Sequence, residues 1–138
     1  MEVTAQLNNL RIAPRKVRIV AKGLRGLDAE SAKAKLRYIN KRASHPIEKL
    51  LNSAMANAKN NKGLDEATLY IKDLIVNEGV KLKRFKPKGF GMVMPIQKKT
   101  SHIKIILDQL SEDKAKQVKE RLARRKPIKS HAAKPEPE

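Results

Sequence analysis

Residues 80–103, VKLKRFKPKGFGMVMPIQKKTSHI, leave this chain few ways to fold. From Gly79 to Thr100 there are seven Lys or Arg and no Asp or Glu. Both ends of the stretch alternate like β-strands, and the GFGM centre reads as a turn. With the turn at residues 89–92, each strand runs about nine residues past any sheet, roughly 30 Å at ~3.3 Å per residue. A two-stranded ribbon without a packing layer is marginal in water, and like charges on it weaken cross-strand pairing. The stretch is therefore expected to protrude as a β-hairpin that becomes ordered against an anionic partner.

The whole chain agrees with such a partner. Its 138 residues hold 32 basic and 14 acidic side chains, a net charge of +18. That charge opposes compaction unless something anionic neutralises it. Nucleic acid is the first candidate and an anionic membrane surface the second. Four aromatic residues (two Tyr, two Phe) leave a core that must be aliphatic and modest. The absence of Cys excludes disulfides, thiolate metal sites and cysteine nucleophiles. No run approaches the ~18 apolar residues of a membrane span, and the first residues, MEVTAQLNNLRIAPRK, carry no continuous apolar segment of a signal peptide. A cytoplasmic location is expected.

The periodicities place the rest of the chain in an α+β fold: three helices packed on a small three-stranded antiparallel sheet with a long protruding β-hairpin. Residues 2–8 alternate, with Val3, Ala5 and Leu7 on one side. Pro14 opens a helix, where its missing N–H costs nothing. Val17, Val20, Ala21 and Leu24 follow as its apolar stripe, and Gly23 and Gly26 end it. Asp28 is a plausible N-cap for a second helix through about Asn40, with Ala32, Leu36 and Ile39 inward. Ser44 is expected to cap a third helix bearing Ile47, Leu50, Leu51, Ala54, Met55 and Ala58. Residues 68–77, TLYIKDLIVN, are nearly continuously apolar and suit a central strand, with residues 101–107 as the return strand. Residues 1–110 thus form the globular domain with its hairpin at 79–100. Residues 111–138 form a basic C-terminal extension. There, 112–126 suit a helix with Ala115, Val118 and Leu122 on one face, and the Pro-rich polar remainder is expected to be disordered alone.

Candidate binding residues follow from charge. Lys81, Lys83, Arg84, Lys86, Lys88, Lys98 and Lys99 on the hairpin are candidate phosphate ligands, whose binding should weaken steeply with salt. Phe85, interleaved among them, either stacks on a base or ribose or packs against Leu82 or the opposite strand. Arg15, Arg18, Lys22 and Arg25 are spaced to share one face of the first helix, a face suited to a phosphate backbone or simply to solvent. Arg11 and Lys16 add to this basic surface, and Arg37, Lys41 and Arg42 continue it. Asn57, Asn60 and Asn61 offer hydrogen bonds to phosphates or base edges, or only a helix exit.

Catalysis finds no support. His45, His102 and His131 are far apart and lack companion carboxylates at metal spacing. Ser101 and His102 are adjacent, so on a strand they face opposite ways. No phosphate-binding loop of Gly-rich type is present, and no cofactor, metal or small-molecule substrate is expected. Two binding functions remain: a structural RNA-binding protein, or a DNA-bending architectural protein that inserts a basic β-ribbon into a minor groove with Pro95 and the Met residues as wedges.

Several blocks together resemble the bacterial form of the large-subunit ribosomal protein twenty-two family. They are APRKVR at 13–18 with RG at 25–26, LRYINKRA at 36–43, PIEKLLNSAMANAKNN at 46–61, LYI at 69–71, LKRFKPKG at 82–89 and KKTSHI at 98–103. The resemblance covers about residues 3–108 and implies the same fold. It further implies a structural role in the large subunit, with large-subunit rRNA, neighbouring ribosomal proteins and the nascent peptide as partners. It extends the candidate rRNA contacts to Thr100, Ser101 and His102, and Lys62 at the exit of the third helix is a further candidate. The hairpin is implied to run along the nascent-peptide exit tunnel, with Gly89, Phe90, Gly91, Met92, Val93, Met94 and Pro95 in its wall. Where the family commonly carries several Arg or Lys at this tip, the present chain has Phe90, Met92 and Pro95.

Overall fold

The computed structural model describes residues 2–109; the expectations for residues 111–138 lie outside the described residues. Its elements are β1 (Val3–Leu10), α1 (Pro14–Lys22), α2 (Ala29–Tyr38), α3 (Ser44–Lys62), a 3-10 turn (Glu66–Thr68), β2 (Leu69–Pro87) and β3 (Val93–Gln109). The three strands form one antiparallel sheet in the order β1-β3-β2. The α+β architecture expected from periodicity is the one found.

The helices follow their apolar spacing. α1 begins at Pro14, whose fixed φ suits the first helical position, and it buries Val17, Val20 and Ala21. α2 buries Ala32 and Leu36. It stops at Tyr38, two residues before the expected Asn40, because Ile39 turns extended with ψ 103. α3 buries Ile47, Leu50, Leu51, Ala54, Met55 and Ala58 along one stripe. It ends where Gly63 takes the left-handed conformation and Leu64 donates its N–H back to Ala58 O at 3.3 Å. These faces meet Val3, Ala5, Leu74, Val76, Ile103, Ile105 and Leu107 of the sheet in one aliphatic core.

Two capping expectations change. Asp28 stands at the N-cap position of α2 but makes no side-chain cap hydrogen bond; its backbone instead pairs with Tyr70 in an isolated bridge. Ser44 is the first residue within α3, and Ala43 holds the cap position. The Ser44 hydroxyl is buried and has no hydrogen-bond partner among the described residues.

The strand over 68–77 is not central. β3 takes the middle and β2 is an edge strand. Its continuous apolar character has a different cause: the register with β3 shifts between Ile71 and Asp73. Buried positions move from Leu69 and Ile71 to Leu74 and Val76 across that irregularity, so the alternation changes phase and the run looks unbroken.

An open edge invites unwanted pairing, and here it is covered. Gly26 N–H donates to Ile71 O at 2.9 Å and Ile71 N–H to Leu27 O at 2.9 Å. Farther along, Arg25 donates to Leu74 O at 2.8 Å and Arg18 to Val76 O at 3.1 and 3.2 Å. The α1–α2 connection and two arginine side chains thus occupy the carbonyls that another strand would use.

Candidate nucleic-acid interface

Beyond Ser101, β2 and β3 leave β1 behind and continue alone as a two-stranded arm. Seven pairs, from Lys81↔Lys99 to Pro87↔Val93, build it, a paired length of roughly 23 Å at ~3.3 Å per residue. Lys81 and Lys99 are the one pair of like charges directly opposed in it. Farther out Lys83 faces Gln97, Arg84 faces Ile96 and Lys86 faces Met94, so most of the expected cross-strand repulsion is avoided. The pleat sorts the side chains. Phe85, Pro87, Val93 and Pro95 share one face, while Arg84, Lys86, Met94 and Ile96 share the other. Phe85 pairs with Pro95 yet stays 72% exposed.

At the base of the arm three distant segments converge. In the β1–α1 turn, Ile12 N–H bonds Leu10 O at 2.8 Å and the Ile12 side chain is buried, which turns Arg11 outward. In the α2–α3 loop, Ser44 N–H bonds Lys41 O at 2.9 Å and Ala43 is buried, which turns Lys41 and Arg42 outward. On β2 and β3, Arg84, Lys98 and Lys99 flank the buried Thr100, whose hydroxyl donates to Val80 O at 2.8 Å. Arg11, Arg42, Arg84, Lys98 and Lys99 line a cleft of about 290 Å³ with Leu82 and Thr100, and no acid among the described residues joins them. Five cations around one concavity repel one another unless an anion enters, and low-dielectric walls strengthen its attraction.

The remaining candidates divide. Arg15, Lys16 and Lys22 on α1 are exposed. Arg18 and Arg25, from the same expected stripe, are engaged by the edge of β2, and Arg25 also pairs with Asp73 at 3.0 Å. Their first role is to hold the sheet edge. Arg37 pairs with Glu48 at 3.4 Å. Lys83, Lys86 and Lys88 are exposed, whereas Lys81 pairs with Glu78 at 3.3 Å. That hydrogen bond and the Lys81 charge hold the Glu78 carboxyl below its ordinary range.

Asn57 is half-buried, Asn60 and Asn61 are exposed, and Lys62 donates to the Glu2 carbonyl. Glu2 precedes Val3, which pairs with Leu107 at the end of the sheet remote from the arm; these α3 residues are therefore not part of the cleft. Ser101 is fully buried, so its side chain is not a surface contact. His102 is half-buried, its Nδ1 3.2 Å from Asn8 Oδ1 and 3.3 Å from the Asn9 amide that donates to it.

At the apex, Met92 N–H bonds Gly89 O at 3.4 Å across Phe90 and Gly91, both at positive φ, 58° and 68°. Lys88 N–H also donates to Met92 O at 2.8 Å, so the loop spans the three residues 89–91, the next commonest hairpin length after two. Phe90, Met92 and Val93 are exposed. The apolar Ile19, 68% exposed amid the basic face of α1, was not singled out from the sequence. Its signal was an Ile lying off the Val17–Val20–Ala21 stripe.

Among the described residues no cluster of His, Asp or Glu is arranged to hold a metal, and no helix is long and apolar enough to cross a membrane. Residues 5–108 match the family described as Ribosomal protein L22p/L17e. The chain belongs to that family. It is 50% identical over 107 residues to the large ribosomal subunit protein uL22 of Mesoplasma florum, covering 78% of this chain and 96% of that one. The uL22 protein of Mycoplasma capricolum subsp. capricolum is 49% identical with the same coverage. That of Lactobacillus delbrueckii subsp. bulgaricus is 44% identical over 108 residues, covering 78% and 92%. As a member of the uL22 family the protein is a structural, non-enzymatic component of the large ribosomal subunit, acting in translation.

Proposed function

We propose that this protein binds large-subunit rRNA through the cationic cleft and the exposed basic residues around it, and that its hairpin reaches the nascent-peptide exit tunnel. The observation that carries the rRNA contact is the convergence of Arg11, Arg42, Arg84, Lys98 and Lys99 from three chain segments around one concavity. Core packing does not require that arrangement, and a phosphate backbone neutralises it with release of counterions. Lys41, Lys83, Lys86 and Lys88 extend the cationic surface into the loop and along the arm, and Arg15, Lys16 and Lys22 extend it along α1. The uncharged apex, Gly89 to Pro95, is suited to line a passage through which a polypeptide moves without electrostatic capture. Neighbouring large-subunit proteins, the nascent peptide and rRNA are then its partners. Family membership disfavours the DNA-bending alternative.

Replacing Lys81, Lys83 and Arg84 together by Glu tests the rRNA contact. The variant should fail to enter large-subunit particles in gradient sedimentation, while a folded globular core persists by circular dichroism. Normal incorporation would overturn the rRNA reading. A structure of the assembled subunit with Phe90 and Met92 away from the tunnel would overturn the hairpin placement.

A further inference from the structure

A second concavity adjoins the cleft. It lies between α1 and the loop joining α2 to α3, has a volume of about 500 Å³, and shares Arg11 and Arg42 with the cleft. Its walls divide by chemistry. Ile12, Ile19 and Val20 supply an apolar surface, and Lys16, Lys41 and Asn40 stand with the two arginines around it. Ile19 contributes most of the accessible apolar surface, since Ile12 and Val20 are nearly buried. The volume falls within the about 300–1,000 Å³ typical of small-molecule sites.

This combination selects its occupant. An apolar helix or strand laid here would strip water from Lys16, Lys41 and Arg42 without giving them partners, which is unfavourable. A regular RNA duplex keeps its base faces stacked inside and presents only base edges, sugar and phosphate, none of which covers Ile19 with an apolar surface. An unpaired nucleotide offers both required chemistries: an aromatic face for Ile19, and phosphates on either side for the cations. Asn40, with an amide donor and an acceptor, is suited to a base edge. Continuity favours the same molecule, because a strand whose phosphates meet Arg11 and Arg42 in the cleft enters the groove across those side chains.

We propose that the groove between α1 and the α2–α3 loop receives an unpaired nucleotide of the bound RNA, its base against Ile19 and its flanking phosphates on Lys16, Lys41 and Arg42. This rests on the rRNA-binding function above and adds a site of a different character, apolar rather than purely electrostatic.

The test uses the full-length chain and a large-subunit rRNA transcript, with binding measured across a salt series. Ile19→Ser removes exposed surface and spares the core. It should weaken binding about tenfold, the scale of covering most of an Ile side chain, with the salt slope unchanged. Lys16→Gln should instead reduce the salt slope by about one. A benzophenone side chain placed at Asn40 should crosslink to RNA in reconstituted large subunits. If Ile19→Ser binds like the parent while Lys16→Gln and Arg42→Gln weaken binding, the nucleotide site is overturned and the electrostatic interface stands. Crosslinking of position 40 to a polypeptide also overturns it. If the parent chain fails to bind the transcript, both fall.

Discussion

Gly79 lies so close to Thr100 that a Cβ on it would fall 2.5 Å from the Thr100 Oγ1, and 2.9 Å from His102 Nε2. The contact marks the register shift between Glu78 and Lys81, where the sheet becomes the arm. The Thr100 hydroxyl is fixed there by its bond to Val80 O, so it has no free direction in which to retreat. Gly79→Ala should therefore cost about 1–3 kcal/mol, as overpacking does, seen as a lower urea midpoint at unchanged slope. Adding Thr100→Ala should recover part of that loss, so the double variant is more stable than the two single effects predict.

Arg18 on α1 and Arg25 just beyond its end separate structure from binding. Each donates to a β2 carbonyl that faces no other strand. Arg18→Gln and Arg25→Gln should each lower stability by about 1–2 kcal/mol, the range for hydrogen bonds from charged groups after partial exposure. They should also increase concentration-dependent aggregation, because they open the sheet edge. Arg15→Gln and Lys22→Gln, on exposed positions of α1, should leave stability within about 0.5 kcal/mol and reduce the salt slope of rRNA binding. Denaturant titration beside a binding series distinguishes the two pairs.

Lys81 is held by Glu78 in the free protein. Glu78→Gln should release it to a phosphate and tighten rRNA binding several-fold at low salt, the gain fading as salt screens exposed charges. The pH dependence has a defined sign. The folded-state pKa of Glu78 is lowered, so the ion pair's small contribution is present above the ordinary carboxylate value of 4.5. It is lost as pH falls through the lowered one. NMR titration of the Glu78 carboxyl in the parent and in Lys81→Gln should show most of the depression lost in the variant, with Lys99 and Arg18 sustaining the remainder.

Phe90 holds φ 58°, a left-handed conformation disfavoured for a bulky side chain. Its ring is fully exposed, so packing within the described residues does not offset that strain. Phe90→Asn, a residue at ease in this turn, should stabilise the isolated hairpin by about 1 kcal/mol. Hairpin amides, which exchange quickly in a ribbon lacking a packing layer, should exchange more slowly in the variant.

Much of the fold could be read from residue spacing. The 47–50–51–54–55–58 stripe of α3, the Pro14 start of α1 and the 3–5–7 alternation of β1 are local patterns. Each follows from the geometry of one element and the removal of one apolar face from water. The hairpin was legible for the same reason, since its acid-free alternation around GFGM needs no knowledge of what lies beside it. The +18 charge likewise pointed to an anionic partner, without choosing between nucleic acid and a membrane surface.

Only tertiary structure decided which strand is central, because an apolar run in β2 looks alike whether it is buried on both sides or phase-shifted by an irregularity at Ile71–Asp73. It decided that Arg18 and Arg25 belong to the sheet edge while Arg15 and Lys22 are exposed on α1, although all four carry the same charge at helical spacing. It also decided that Arg11, Arg42 and Lys98 are neighbours. The physical reason is common to all three. Spacing reports how a side chain is oriented on its own element, whereas a carbonyl to be satisfied, or a cation to be gathered into a cleft, is set by elements that only packing of the core brings together.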